Sequence, residues 1–178
     1  MYPIKYLDYL IHYHIYRDYF ECHEILEDHW KEVTNPLVHN QWVALIQLAV
    51  GHYHHRRSND NGARRLYKKS YHLCSLYSDE LNQLGLNTTK LLRTIKAVEA
   101  QLRMNEFHDV HLPMSQDLLA ACKKRCEELD VQWNLTSVPF VPNFIVNKHS
   151  LRDRREVIDE REKQLTRRVK DRELPFNE

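Results

Sequence analysis

Aromatic residues recur at helical spacing between Tyr2 and Trp30, and this pattern constrains the fold more than any other feature of the chain. Steps of three and four residues separate the members, so they share one face of a helix. The run comprises Tyr2, Tyr6, Tyr9, Tyr13, Tyr16, Phe20, His23, Glu27 and Trp30. Such spacing is more typical of a packing face than of a base- or sugar-binding surface. Any exposed part of the run would instead be a self-association surface.

The same segment fits either one long helix or two helices with a break near Arg17 and Asp18, and the break is favoured. Asp18 and Glu21 have the spacing of a capping box, which places a helix start next to Arg17. This second helix should end near Val33, because the residue before Pro36 disfavours the α conformation.

Further helices follow from apolar periodicity and turn formers. Their predicted ranges are about 38–57, 63–84, 87–104, 115–129 and 151–172. Residues 131–146 are apolar but contain two prolines, which predicts an extended strap, with one short strand as an option. The predicted fold class is all-α, an antiparallel bundle of αα-hairpins with a strap and a charged C-terminal helix. The predicted division is 1–130 for the bundle and 131–178 for the strap and final helix.

The composition argues against several classes of protein. The chain has 178 residues and only three glycines, which disfavours a turn-rich β fold. A formal net charge of +1 gives no global field for nucleic acid or a membrane surface. No apolar run approaches the roughly 20 residues that span a bilayer, and no signal peptide is evident. A cytoplasmic protein is the expectation.

The four cysteines indicate core packing rather than chemistry. Cys122 and Cys126 stand four apart, a spacing that suits one edge of a metal site, but no matching pair lies elsewhere. In a reducing compartment disulfides are not expected. Small semi-buried core residues are the favoured interpretation, which extends to Cys22 and Cys74.

A polar cluster within the aromatic run is the main candidate site. His23 and Glu27 are four apart on one helical face, and Glu24 lies beside them. Gln47 and His54 are seven apart on the next predicted helix, so antiparallel packing would bring all five together. Buried polar groups need partners, because an unpaired one costs several kcal/mol.

Three interpretations of this cluster remain open. The favoured one is a buried hydrogen-bond network in which Glu27 or Gln47 fixes an imidazole tautomer. A second is a divalent metal site for zinc, iron or manganese, with His23, Glu27 and His54 as ligands. A third assigns acid–base catalysis to Glu24. The spacing differs from the His-Glu-x-x-His pattern of zinc peptidases, because position 27 is glutamate.

A second candidate is an anion site at the end of the third helix. Arg56, Arg57, Arg64 and Arg65 flank the turn Asn59–Gly62, where a new helix would offer free backbone N–H groups. A solvated helix end whose basic residues complement the dipole is the favoured alternative.

Several of these residues form a recognisable signature. It comprises Tyr19-Phe20-Glu21, His23-Glu24, Leu26-Glu27, Trp30, Gln47, Ala49, Tyr53-His54, Asn59, Gly62-Ala63 and Leu66. Over about residues 7–75 the chain resembles an all-helical prokaryotic family, the domain of unknown function 309. The resemblance implies a compact helical bundle and no known activity. The family usually has a glycine where this chain has Arg17, so a left-handed cap there would be costly.

The C-terminal segment bears on partners. Residues 151–172 interleave basic and acidic side chains around a thin seam of Leu151, Ile158 and Leu165. Such a seam suits docking against a protein partner or a second copy, although a loosely attached tail would have a similar sequence. Interspersed charge without aromatics makes a nucleic-acid partner unlikely.

Two functions remain from the sequence. The leading hypothesis is a non-catalytic cytosolic protein–protein interaction module whose polar cluster stabilises the bundle. The alternative is a metal-dependent, hydrolase-like enzyme that uses His23, Glu27 and His54. No nucleophile motif, phosphate loop or dinucleotide fingerprint is present.

Overall fold

The predicted all-α architecture is confirmed by a computed structural model, which describes residues 1–32, 40–104, 106–135 and 141–148. Within these ranges the chain forms eight α-helices and one π-helical segment. The helices are α1 (Ile4–Ile11), α2 (Tyr19–Glu32), α3 (Asn40–Arg56), α4 (Asp60–Leu76), α5 (Ser78–Gln83), α6 (Thr88–Gln101), α7 (Gln116–Glu128) and α8 (Asn143–Val146), and the π-helical segment is His12–Tyr16.

The aromatic run forms the centre of the core. Tyr6, Tyr9 and Tyr13 are fully buried, which confirms that these tyrosines are a packing face. The π-helical segment changes the register, since its i→i+5 bonds insert extra chain into one turn. As a result His14 is fully buried while Tyr16, predicted to face inward, is 40% exposed.

The predicted break after the first helix is also confirmed. Arg17 adopts a left-handed conformation with φ 53° and ends the π-helical segment. Asp18 caps α2, because its Oδ1 accepts a hydrogen bond of 3.0 Å from the Glu21 backbone N–H.

Helices α2, α3 and α4 pack in sequence, and α6 packs on α4 while α7 packs on α1. α3 and α4 are joined by a short turn and form an antiparallel hairpin. Ser70 of α4 donates a hydrogen bond of 2.9 Å to the Ala44 carbonyl of α3. The approach is close at Gly51, where a Cβ atom would lie 2.7 Å from the Tyr67 ring. A side chain at this position would therefore separate the two helices.

The predicted helix over 63–84 is wrong in its extent, since α4 begins at Asp60, ends at Leu76 and is followed by the separate α5. Gly85 then reverses the chain with φ +80°, as expected of a residue after a helix end. Its carbonyl accepts a hydrogen bond of 2.7 Å from the Ser115 N–H, and Leu86 pairs with Met114 in an isolated bridge. These bonds join the start of α7 to the end of α5.

The chain divides into two compact units, residues 1–146 and 147–178. Residues 131–135 of the predicted strap have no regular secondary structure, whereas α8 is a short helix. The predicted helix at 151–172 lies outside the described residues. None of the described helices combines the length and apolar character that a membrane span requires.

Candidate functional site

His23, Glu24 and Glu27 form a compact polar group on α2. The His23 imidazole lies between the two carboxylates, with Nδ1 3.1 Å from Glu24 Oε1 and Nε2 2.9 Å from Glu27 Oε2. Lys31 extends the group, with its Nζ 3.0 Å from Glu27 Oε1. The structure therefore brings together the three polar residues of the α2 motif.

The group lies at the surface, and the expectation that it is buried is wrong. The His23 side chain is 28% exposed, and those of Glu24 and Glu27 are each 33% exposed. The physical reason is the rotation of α2 about its axis. Tyr19, Cys22 and Leu26 are its most buried residues, so positions about 100° further round lie at the edge of the buried face, where Phe20 is 8% exposed and His23 and Glu27 are more so.

The two α3 residues that were predicted to join this group are Gln47 and His54. Nδ1 of His54 is 2.8 Å from Nδ2 of Asn59 at the turn into α4. Oε1 of Gln47 is buried and has no hydrogen-bond partner among the described residues. Within the described ranges, the ligand atoms close enough to share a cation come from His23, Glu24 and Glu27, all within 4.8 Å of one another. The described geometry thus replaces His54 by Glu24 in the candidate ligand set.

This group can act chemically in two ways. One imidazole and two carboxylates are donors that zinc, iron and manganese accept in proteins, and the partial exposure gives a cation access. Without a cation, His23 contacts both carboxylates and Glu27 also pairs with Lys31, and partly exposed pairs of this kind stabilise a helix by a few tenths of a kcal/mol each.

A second polar network, which the sequence did not reveal, lies inside the bundle. The Tyr13 hydroxyl is 2.6 Å from Nε2 of His52, whose Nδ1 is 2.8 Å from the Tyr67 hydroxyl. His55 Nδ1 reaches the same Tyr67 hydroxyl at 3.2 Å. Burial lowers the pKa of His52 well below its usual value and raises the pKa values of both tyrosines. The network is therefore held in its neutral form.

Arg17 is fully buried beside this network. Its NH1 atom donates to the carbonyls of Tyr13 at 3.3 Å and Val110 at 3.1 Å, and its NH2 atom lies 3.4 Å from Nδ1 of His111. The ring of His14 stacks on that of His111 with 5.5 Å between centroids. Burial lowers the pKa of His14, and the positive charge of Arg17 lowers it further. Arg17 thus connects the end of the π-helical segment to the loop before α7.

Arg56 and Asp109 form the charged part of the network. Oδ1 of Asp109 is 2.6 Å from an Arg56 guanidinium nitrogen and accepts a hydrogen bond of 2.6 Å from Tyr19. Arg56 also donates to the Arg17 carbonyl at 2.6 Å and lies over the Tyr19 ring, 4.4 Å from its centroid. These contacts bind the loop after α6 to α2 and α3, and they neutralise Arg56.

Of the four arginines of the predicted anion site, Arg56 is paired with Asp109. Arg57 donates a hydrogen bond of 3.2 Å to the Tyr53 hydroxyl, while Arg64 and Arg65 are exposed on α4. The Asn59 side chain accepts from the Gly62 N–H at 3.1 Å, so the protein itself occupies part of the start of α4.

All four cysteines are buried and unpaired, which confirms that they are core residues. Burial raises the pKa of Cys74 to about 12 and that of Cys122 to about 12. Both thiols are therefore protonated, and a protonated thiol is a poor nucleophile and a poor metal ligand.

The comparisons with known proteins place this chain in a family. The family model described as a domain of unknown function (DUF309) matches residues 6–66. The uncharacterised protein YpuF of Bacillus subtilis (strain 168) is 42% identical over 176 residues, which cover 97% of this chain and all of the relative. The chain belongs to the DUF309 family. No solved structure matches it.

Membership in DUF309 agrees with the helical fold and with the resemblance stated above. The matched residues run from α1 into α4 and include His23, Glu24 and Glu27. They end before Asp109 and His111, which complete the buried network. The family description assigns no activity.

Proposed function

We propose that this DUF309 protein is a non-catalytic interaction module that binds an apolar segment of another protein. The observation that supports this best is a surface groove of about 360 Å³ bordered by α1, the π-helical segment, α2 and α7. The groove is lined by Asp8, Ile11, His12, Tyr16, Ile25, Arg125 and Leu129.

Large apolar side chains remain available to a partner in this groove. Tyr16 is 40% exposed and Leu129 is 42% exposed. A tyrosine and an arginine at one binding surface are the residue types that most often dominate the energy of protein interfaces. The π-helical segment directs Tyr16 there, and π-helical turns occur frequently at functional sites.

The charge of the groove favours an apolar occupant. Asp8 accepts two hydrogen bonds from the Arg125 guanidinium, at 2.8 and 3.3 Å, so the carboxylate and the cation neutralise each other. A charged segment would gain little attraction here, whereas apolar side chains gain about 25 cal/mol for each Å² that is removed from water.

The interior argues for a structural rather than a catalytic role of the buried network. His14, His52, Tyr13 and Tyr19 are buried, and their pKa values are shifted toward the neutral form. Neutral, hydrogen-bonded groups beneath the surface stabilise helix packing and are positioned away from an approaching substrate.

A site-specific crosslink tests this proposal. A photoreactive benzophenone amino acid replaces Tyr16 in the full chain, expressed in its own host, and the adduct is sequenced by mass spectrometry. We expect one adduct with an apolar peptide of another protein. The adduct should be lost in Leu129→Asp and retained in Leu135→Asp. The second variant is the matched control, because Leu135 is an exposed leucine that does not line the groove. An adduct of two copies of this chain, a charged peptide, or insensitivity to Leu129→Asp would refute the proposed occupant.

The His23 group favours a second candidate, a metal-dependent enzyme of the hydrolase type. Its support is the proximity of three ligand atoms within 4.8 Å on an accessible face. Elemental analysis of untagged protein tests it. Stoichiometric zinc, iron or manganese that is lost on His23→Ala and retained on His54→Ala would support this ligand set. Metal-free protein would remove the candidate.

A further inference from the structure

A basic groove between α4 and α6 is independent of the proposed docking groove and uses different residues. It has a volume of about 440 Å³ and is lined by Arg64, Lys68, Lys96, Glu99, Ala100 and Arg103. Four cationic side chains and one carboxylate line it, although the whole chain has a formal net charge of only +1. The groove is therefore a local concentration of positive charge.

Three of these cations are not neutralised by the protein in the described ranges. No carboxylate among the described residues lies within ion-pair distance of Arg64, Lys68 or Arg103, and all three side chains are exposed. Lys96 differs, since its Nζ is 3.4 Å from Glu99 Oε2 and 4.5 Å from the centroid of the Tyr71 ring. Glu99 is therefore paired with Lys96, and Arg64, Lys68 and Arg103 supply the net positive charge of the groove.

Like charges this close repel one another, and their repulsion is relieved by a bound anion. Arg64 and Lys68 lie one turn apart on α4, about 6 Å along the axis. Lys96 lies on α6, and Arg103 lies in the turn that follows this helix. The four cations come from two helices and the turn after α6, so linked phosphates can contact more of them at once than a single phosphate can.

We infer that this groove binds a small soluble ligand that carries two or more linked phosphates. The guanidinium groups of Arg64 and Arg103 suit bidentate contacts to phosphate oxygens, and Lys68 supplies a compact charge. A groove of this volume matches small-molecule sites, which commonly occupy 300–1,000 Å³. Extended polyanions are less suitable, because the Tyr71 ring that lies against Lys96 is already covered by this cation and does not offer a free face to a base.

Calorimetric titration of the full chain with tripolyphosphate tests the inference. We expect one ligand per chain, and about tenfold weaker binding or more for Arg103→Glu and for Lys68→Glu, since each reversal replaces an attraction by a repulsion. Lys123→Glu on α7 is the matched control, because it makes the same change of charge at an exposed lysine outside the groove. Its affinity should equal that of the unaltered chain.

Three further arms identify the source of the phosphate. Inorganic phosphate should bind at least about tenfold more weakly than tripolyphosphate, because it contacts fewer of the cations. Two other probes are vesicles of an acidic phospholipid and single-stranded RNA. Each should either fail to bind or bind the Arg103→Glu variant as well as it binds the unaltered chain. Stronger groove-dependent binding in any of these arms would overturn the inference. So would equal losses in Lys123→Glu and Arg103→Glu, or no measurable binding of tripolyphosphate.

Discussion

Arg17 has two features that each cost free energy in the folded protein. It adopts a left-handed backbone conformation, and its guanidinium is fully buried. The hydrogen bonds to the carbonyls of Tyr13 and Val110 offset the burial of the charge, and they fix the loop before α7 against the π-helical segment. The side chain therefore gives this position a role that a glycine cannot supply.

Substitution of Arg17 separates the two features. Arg17→Ala and Arg17→Gly both remove the donors to buried carbonyls, which should destabilise each variant by about 1–3 kcal/mol. Glycine accepts the left-handed conformation without strain, so Arg17→Gly should be more stable than Arg17→Ala by about 1 kcal/mol. Urea denaturation of both variants measures the difference. Equal stability would show that the backbone at residue 17 is unstrained.

The buried imidazoles make the protein sensitive to acid. The pKa of His52 is lowered in the folded state, so as pH falls the unfolded chain takes up the proton first. Stability should be fully present above about pH 6.5 and decline below it, by about 1.4 kcal/mol per pH unit for each such histidine. His52→Gln should remove one such contribution to the slope of unfolding free energy against pH. His72→Gln, an exposed control on α4, should leave the slope unchanged, and identical slopes in all three proteins would contradict the argument.

At the scale of the elements, α2 shows what periodicity can predict and where it stops. Helix, cap and break were all visible in the pattern around Asp18. The pattern did not show how the helix is rotated, because two series of residues lie one position apart along it. One series is Tyr19, Cys22 and Leu26, and the other is Phe20, His23 and Glu27. The choice between two adjacent faces depends on the neighbouring helix, which sequence spacing does not encode. For the same reason His23 was predicted to be buried.

The contact between α3 and α4 predicts an overpacked variant. In Gly51→Ala the new Cβ would lie 2.7 and 2.8 Å from the Cε1 and Cδ1 atoms of Tyr67, in a ring that also hydrogen-bonds His52. Despite the better helix propensity of alanine, we expect a loss of about 1–3 kcal/mol in the free energy of unfolding.

A second substitution isolates that contact. Tyr67→Leu shortens the neighbouring side chain, so Gly51→Ala should cost less in its presence than in the unaltered chain. Denaturation of the four proteins of this double-mutant cycle gives the coupling energy. Additive losses would mean that the Tyr67 ring does not limit the approach of the helices.

At the scale of the molecule, the all-α class was predictable and the buried network was not. Scarce glycines, three-four periodicity and capping residues all indicated helices, and these are local signals. The network depends on Asp109 and His111, which lie in a loop with no periodic pattern. They contact residues 90 or more positions away or, for Arg56, 53 positions away. Contacts of this kind leave no trace in the spacing of one sequence.

The division of the chain predicts an independent bundle. Residues 1–146 form one compact unit that contains every buried side chain described above. A chain ending at residue 146 should therefore unfold at a temperature within about 2–4 °C of the full chain, the shift that 1 kcal/mol produces at this size. Calorimetry measures it. A larger fall would assign part of the stability to residues 147–178.

The distance in sequence between Arg17 and its acceptor carbonyl at Val110, 93 residues, has a consequence for biosynthesis. Arg17 is synthesised 93 residues before Val110, whose carbonyl accepts a hydrogen bond from its guanidinium. The family match ends at residue 66, and a nascent chain of that length contains Arg17 but not the Val110 carbonyl that accepts its hydrogen bond. We therefore expect the matched region alone to be less stable than the full chain, because Arg17 gains its distant acceptor only after the segment before α7 has left the ribosome.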